Sequence, residues 1–380
     1  MKVSIVTEVR IYSFDKKFYV DSSFLKIIER YKKAFGDICL FSRVVESDNC
    51  GIKGLKIIEQ DVNIYNIGSI TSFLFSKIKP SYYDIFKKSE LIILRVPSLV
   101  SLKLYNVIRK ERKKYMCEIM GCAFDAYWNH GIIGKLIALP MFLMTRKIIK
   151  RANYCLYVTK QFLQNRYPTN AYSINASNVN IDKPITKKDY SNVDKTTLSL
   201  FTAAALNVKY KGQKYVIECI KNIKKQGINV NYYLAGKGDS RYLEEIAKKN
   251  GVLENVHVLG MLNKEELNKI MLQSDIYIQP SLQEGLPRSL IEAMNCGLVC
   301  MGAKTAGIPE LLDSCFVFER KSSKSIEKCI LNNIDKDFSE VGENNINEAS
   351  KYYSSVLDKR REEFYNYIIK DVSKCEGKKV

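Results

Sequence analysis

The sequence predicts an α/β protein of two doubly wound domains built on parallel sheets. Three observations carry that expectation. Strand-length apolar runs recur along the 380 residues, separated by polar stretches of helix length, the pattern of parallel strands with crossover helices. Residues 178–197, polar, containing Pro184 and lacking a sustained period, read as a linker. After them the alternation restarts more clearly. Two such domains around a linker place a ligand cleft between them, at the C-terminal ends of the strands.

In the first half, strands are expected at residues 3–6, 38–41, 91–94, 115–120, 154–158 and 172–175, with a helix over 23–34. In the second half, strand 198–203 precedes a helix near 212–226, and strand 230–235 a helix near 240–249. Strand 256–259 leads into Asn263-Lys-Glu-Glu266, a capping box opening a helix to Gln273. Strand 275–279, helix 287–295 and strand 298–301 complete the series. Residues 347–372 read as one long charged helix. The expected domains are 1–185 and 186–345, with 346–380 packing back on the first.

Composition narrows the function classes. With 46% apolar and 27% charged residues the chain is globular, not disordered. Eleven cysteines, odd in number and without a C-x-x-C pair, argue against a disulfide framework and a zinc site. Charges in MKVSIVTEVR argue against a secretory signal. The longest apolar run, residues 136–144, is broken by Pro140 and too short to span a bilayer. A cytoplasmic protein, soluble or peripheral, is expected. The net charge of +19 is uneven: residues 1–200 hold 33 basic and 17 acidic side chains, a balance of +16. A phosphorylated ligand, an anionic membrane or nucleic acid would each answer such a charge, and no nucleic-acid motif accompanies it.

The strongest chemical signal is the segment PSLQEGLPRSLIEAMNCG over residues 280–297. A strand ends at Pro280, a turn runs through Gly285, and a helix opens at Pro287, where a missing N–H costs nothing. Such a turn aims backbone N–H groups of Gly285, Leu286 and their neighbours, with the positive helix end, at a phosphate. Glu284 on the turn and Glu292 on the second helical turn suit vicinal hydroxyls. The plain alternative has Glu284 capping the turn and Glu292 solvated. Lys211, in Lys209-Tyr-Lys-Gly212, leaves a strand-to-helix loop toward the same place, where it would stabilise charge on a leaving diphosphate. Gly236 and Gly238 form a tight turn open to a ligand; Arg241 stands where a dinucleotide fingerprint needs its third glycine.

Together these motifs resemble the donor-binding domain of the retaining GT-B glycosyltransferases of family 4, the group 1 transferases. The resemblance runs from about residue 198 to 313 and includes DIYIQPS and TAGIPELL; FDAYWNHG and YVTKQFLQNRYP extend it more loosely into the first half. It implies a GT-B fold of two Rossmann-like domains facing a central cleft. It implies a hexose moved from a nucleotide diphosphate sugar to a glycan or lipid-linked glycan in polysaccharide biosynthesis, without a metal or other cofactor. By the resemblance Glu284 meets the donor sugar, Glu292 the ribose, and Lys211 the diphosphate. His130 or Asp125 would approach the donor sugar, and Arg95, ending a strand, an acceptor phosphate. The chain departs from the family at Leu206, where an arginine is common, at Thr7–Arg10, where a glycine-rich loop is usual, and at Ala306. The rivals are a nucleotide-sugar epimerase of the same architecture and a basic nucleic-acid-binding protein. An anionic membrane is the expected partner of the basic first half, through residues 136–144 and an aromatic-lysine stretch over 73–83.

Overall fold

The computed structural model describes residues 1–48, 51–52, 54–129 and 131–376. They divide into two compact units. Unit 1 comprises Met1–Val158, Leu163–Ala176 and the segment from Lys359 on; unit 2 comprises Thr159–Phe162 and Ser177–Asp358. The first division therefore falls nine residues before the expected 185, since the supposed linker packs on unit 2. There the Tyr190 hydroxyl donates to Asp275 O and accepts from Val299 N, both at 2.7 Å.

Unit 1 holds β1 (Lys2–Phe14), β2 (Lys17–Val20), β3 (Asp37–Glu46), β4 (Lys56–Ile57), β5 (Asn63–Asn66), β6 (Leu91–Val96), β7 (Tyr115–Ile119), β8 (Tyr154–Tyr157) and β9 (Tyr172–Asn175). Seven run parallel in the order β5-β3-β1-β6-β7-β8-β9; β2 pairs antiparallel with the far half of β1, and β4 pairs antiparallel with β2. The helices α1 (Ser22–Phe35), α2 (Ile70–Phe75), α3 (Pro80–Lys88), α4 (Leu99–Lys110), α5 (Ala123–Trp128), α6 (Gly131–Lys150) and α7 (Phe162–Arg166) lie between strands. Helix α1 shows the local logic. Asp21 caps it by accepting from Ser23 N and Phe24 N, and Phe24, Ile27, Ile28, Tyr31 and Phe35 bury one stripe.

Two elements differ from expectation. Residues 7–10 are not a loop: β1 bulges between Val6 and Arg10 and continues to Phe14. Asp15 and Lys16, at φ 47° and 57°, then turn it back into β2, a primed hairpin turn made without glycine. The C-terminal helix is two, α13 (Phe338–Ser350) and α14 (Ser354–Glu376). Between them Tyr353 bridges to Ile181, and Ser354 gives both its N–H and its hydroxyl to Ile181 O. From Lys359 on α14 belongs to unit 1, where Phe364, Tyr365, Ile368 and Val372 join the buried core.

Unit 2 is a six-stranded parallel sheet of β10 (Thr197–Ala203), β11 (Asn229–Ala235), β12 (Val256–Gly260), β13 (Ile276–Gln279), β14 (Val299–Ala303) and β15 (Val317–Phe318), ordered β12-β11-β10-β13-β14-β15. Its crossover helices are α8 (Gln213–Lys225), α9 (Arg241–Asn250), α10 (Lys264–Gln273) and α11 (Arg288–Asn295), and α12 (Ser323–Asn333) follows the last strand. The capping box at Asn263 and Glu266 is formed.

Arg95 is not the exposed anion contact the strand's end suggested. It stands directly across from Glu118 on the neighbouring strand. Its Nε donates to Glu118 Oε2 at 2.7 Å, with the two side chains 4% and 1% exposed. The guanidinium lies 4.9 Å from the centre of the Phe24 ring, and the Tyr31 hydroxyl donates to the same carboxylate at 2.9 Å. This is an internal ion pair, closed by neighbours on both sides. Removing one partner strands the other charge in a dry sheet, at about 3–5 kcal/mol. Arg95→Met should lower stability toward urea by about that amount, and adding Glu118→Leu should recover most of it. Equal losses in the single and double variants would mean that the pair does not act as a unit.

Candidate active site

The chain builds unit 2 outward from β10 to β12, then crosses back to β13 and builds the other way. The C-terminal ends of β10 and β13 thus form a topological switch point, the place on an open α/β sheet where ligands bind. Four loops gather at that end of the sheet. They are residues 204–212 after β10, 236–240 after β11, 280–287 after β13 and 304–307 after β14.

Close backbone contacts hold these loops. Leu282 N donates to Tyr210 O at 2.7 Å, Leu206 N to Lys237 O at 2.9 Å, and Gly307 N to Gly285 O at 3.0 Å. A Cβ on Gly212 would sit 2.0 Å from Pro280 O, and one on Gly236 2.0 Å from Ala204 O. At both places a side chain would force the loops apart. Gly236 is therefore placed by loop packing, with its N–H given to Gly260 O.

Lys211 and Glu284 meet across the switch point. Lys211 Nζ donates to Glu284 Oε1 at 2.7 Å, the side chains being 23% and 12% exposed. Behind them runs a buried relay. The Tyr277 hydroxyl donates to Gln279 Oε1 at 2.8 Å and lies 2.9 Å from Ser289 Oγ. Gln279 then spends its two N–H groups on Ser281 Oγ at 2.8 Å and Glu284 Oε1 at 3.3 Å. Oε1 thus takes two donors, while Oε2 has none among the described residues. Gln279 is 1% exposed. It was missed in the sequence, although a polar side chain closing the apolar strand of DIYIQPS was the signal to find it.

Helix α11 begins at Arg288, one residue later than expected, with Pro287 as its N-cap and no side-chain cap bond. Its first N–H groups are therefore uncapped at the end nearest Glu284. Leu286 and Pro287 are buried and Gly285 half-buried, so this turn can offer backbone but little side chain. Glu292 lies half-buried on α11, and no hydrogen bond to its carboxylate occurs among the described residues. The later motif TAGIPELL is engaged as well. Glu310 accepts from the backbone N–H groups of Lys160 at 2.7 Å, Gln161 at 3.1 Å and Phe162, tying the segment after β8 into unit 2.

Lys211 and Glu284 are thus brought together, with Gly285, Leu286 and Pro287 on the turn that carries Glu284; Gly236 lies in the loop after β11, packed on the loop after β10, and Glu292 lies on α11 near the charges of Arg288 and Lys264. Asp125 is in unit 1, on α5, half-buried. His130 lies outside the described residues.

The family model described as glycosyl transferases group 1 matches residues 182–351. Protein CapJ of Staphylococcus aureus is 31% identical across 99% of both chains. The amylovoran biosynthesis glycosyltransferase AmsK of Erwinia amylovora is 34% identical over 30% of each. Among solved structures, HepE of Anabaena in complex with UDP superposes with a TM-score of 0.67 at 14% identity, covering 97% of this chain and all of that one. The fold is that of the GT-B class, with two Rossmann-like units.

The burial of Glu292 has a measurable cost. Desolvation lifts its carboxyl above the usual 4.5, and the positive charges of Arg288 and Lys264 pull it part of the way back. Between 4.5 and the raised value the folded chain keeps a proton that the unfolded chain has released. Stability therefore falls as pH rises through that window, and the full deficit persists at neutral pH. Without ligand, Glu292→Gln should melt above the parent at neutral pH, with the gap closing below the ordinary value of 4.5. Thermal melts across that range check this, and a gap independent of pH would contradict it.

Proposed function

The chain belongs to the group 1 glycosyl transferases, and from that membership we propose the transfer it performs. It moves a hexose, with retention of configuration, from a nucleotide diphosphate sugar to a glycan or lipid-linked glycan during surface polysaccharide synthesis. That the protein is a glycosyltransferase follows from the family; the donor, the stereochemistry and the acceptor are our reading. One observation carries it: a cation and a carboxylate meet at the switch point of the sheet, beside an uncapped helix end. The UDP bound to HepE and the amylovoran role in the name of AmsK favour a nucleotide donor and a polysaccharide product.

On this reading Lys211 and the first N–H groups of α11 take the diphosphate. Their charge stabilises the negative charge that grows on the phosphate as the glycosidic bond breaks, most strongly where water is excluded. Glu284 Oε2, free of donors, accepts sugar hydroxyls while Gln279 holds the other oxygen in place. Glu292 accepts from the ribose hydroxyls, which recovers part of its desolvation cost through hydrogen bonds. The acceptor hydroxyl attacks on the face the phosphate leaves. Its proton passes to a departing phosphate oxygen, the new C–O bond replaces the old, and no enzymic nucleophile takes part. The positive charges at the diphosphate are the protein's own, so no metal ion is required. The work is placed at the cytoplasmic face of a membrane.

Incubation with a panel of uridine and guanosine diphosphate sugars and a membrane-derived acceptor tests the proposal. Lys211→Ala and Glu284→Gln should each lower kcat at least about tenfold, with smaller changes in KM, because Lys211 stabilises charge on the departing phosphate and Glu284 holds the donor sugar as its bond breaks. Unchanged kcat in either would remove that residue from the reaction. Turnover should also survive EDTA. Loss on chelation that magnesium or manganese restores would refute the metal-free reading.

A further inference from the structure

Helix α6 carries an apolar stripe on the outside of unit 1. Ile132, Ile133, Leu136, Leu139, Leu143 and Met144 are between 49% and 80% exposed. At about 100° per residue they share one side of the helix. The opposite side is buried and seats the helix through Ala138, Met141, Ile148 and Ile149 among others. Pro140 lies within the helix, on the exposed side, and does not break it. The exposed side then changes character: Lys147 and Lys150 continue it in the last turn, with Lys135 and Arg146 along its edge, all four exposed. The helix contains no acidic residue.

A solvated helix face does not hold six large apolar side chains, and a face awaiting a protein core does not end in lysines. Apolar and cationic groups on one exposed side suit an interface with acidic lipid. We propose that α6 docks unit 1 on an anionic bilayer, lying in the membrane plane with its stripe in the headgroup boundary and its cations on lipid phosphates. Trp128, 43% exposed with Lys135 Nζ 5.7 Å from its ring centre, adds an amphipathic ring just before the helix. Charge agrees over a wider stretch, since residues 101–166 hold 13 basic and 3 acidic side chains. It also counts against a second copy of the chain as the occupant, because pairing two such faces would crowd their cations together. None of the described helices is long and apolar enough to cross a membrane, so the contact is a surface one. The inference deepens the proposed function by giving a route to a lipid-linked acceptor, and rests on that reading only for the acceptor.

Flotation of the full chain with vesicles tests it. The protein should float with equal parts phosphatidylglycerol and phosphatidylcholine, less so in high salt, and stay below with phosphatidylcholine alone. Leu136→Glu with Leu139→Glu, and separately Lys147→Glu with Lys150→Glu, should each cut partitioning at least about tenfold. Both double variants should keep the parent melting temperature and the parent thermal shift with UDP or GDP, whichever it binds, since these sites are exposed and lie outside unit 2. A parent that ignores acidic vesicles, or binds neutral ones equally, overturns the proposal. So does a parent that elutes as a dimer which Leu136→Glu with Leu139→Glu makes monomeric. Sugar transfer to a soluble acceptor without vesicle binding would remove this inference alone; vesicle binding without any transfer would uphold it and remove the enzymatic reading.

Discussion

Backbone pressed against backbone is the constraint on which unit 2 depends. Parallel strands deliver every crossover loop to the same end of the sheet, and there the loops after β10, β11, β13 and β14 share one small space. They fit because Gly212 lies under Pro280 O and Gly236 under Ala204 O, with no room at either place for a Cβ. Lys211, adjacent to Gly212, and Glu284, four residues past Pro280, reach each other only because those loops are in contact. The chemistry of the site thus follows from packing that carries no charge at all.

That dependence also explains what the sequence could disclose. The parallel alternation, the strand-turn-helix at 280–297 and the capping box at Asn263 are local, and local signals are readable one element at a time. The ion pair between Lys211 and Glu284 is not local: each was marked for a ligand, and nothing in the spacing of residues 211 and 284 says that they meet. Arg95 misled for the same reason, since its partner on β7 is 23 residues away and defined only by strand register. The hairpin at Asp15-Lys16 and the break before Ser354 lacked the usual punctuation of glycine or proline. Tyr190 shows the limit of composition, because a polar stretch read as linker contains one aromatic that anchors it. For α6 the apolar run was plain in the sequence, but its exposure depended on which side the rest of unit 1 covers.

The pair at the switch point has a bearing on selectivity. Lys211 already has a counter-charge, so a bare anion gains little there: to take the lysine it must displace a carboxylate and then stand beside it. A ligand that brings phosphate for Lys211 and hydroxyls for Glu284 satisfies both groups at once. Neither half of such a ligand suits the site as well as the whole. The relay through Gln279 sharpens this, because it keeps Oε1 occupied when the lysine turns away.

The placement of α14 has a consequence for how the protein is made. Unit 2 is nearly continuous in the chain, whereas the core of unit 1 lacks Phe364, Tyr365, Ile368 and Val372 until residues beyond 358 are added. During translation the first 158 residues emerge early yet wait for the 182 residues of 177–358 before that gap is filled. At about 5–20 residues per second the wait is roughly 10–40 s. The later unit can therefore be complete on the ribosome while the earlier one still shows an open apolar seam.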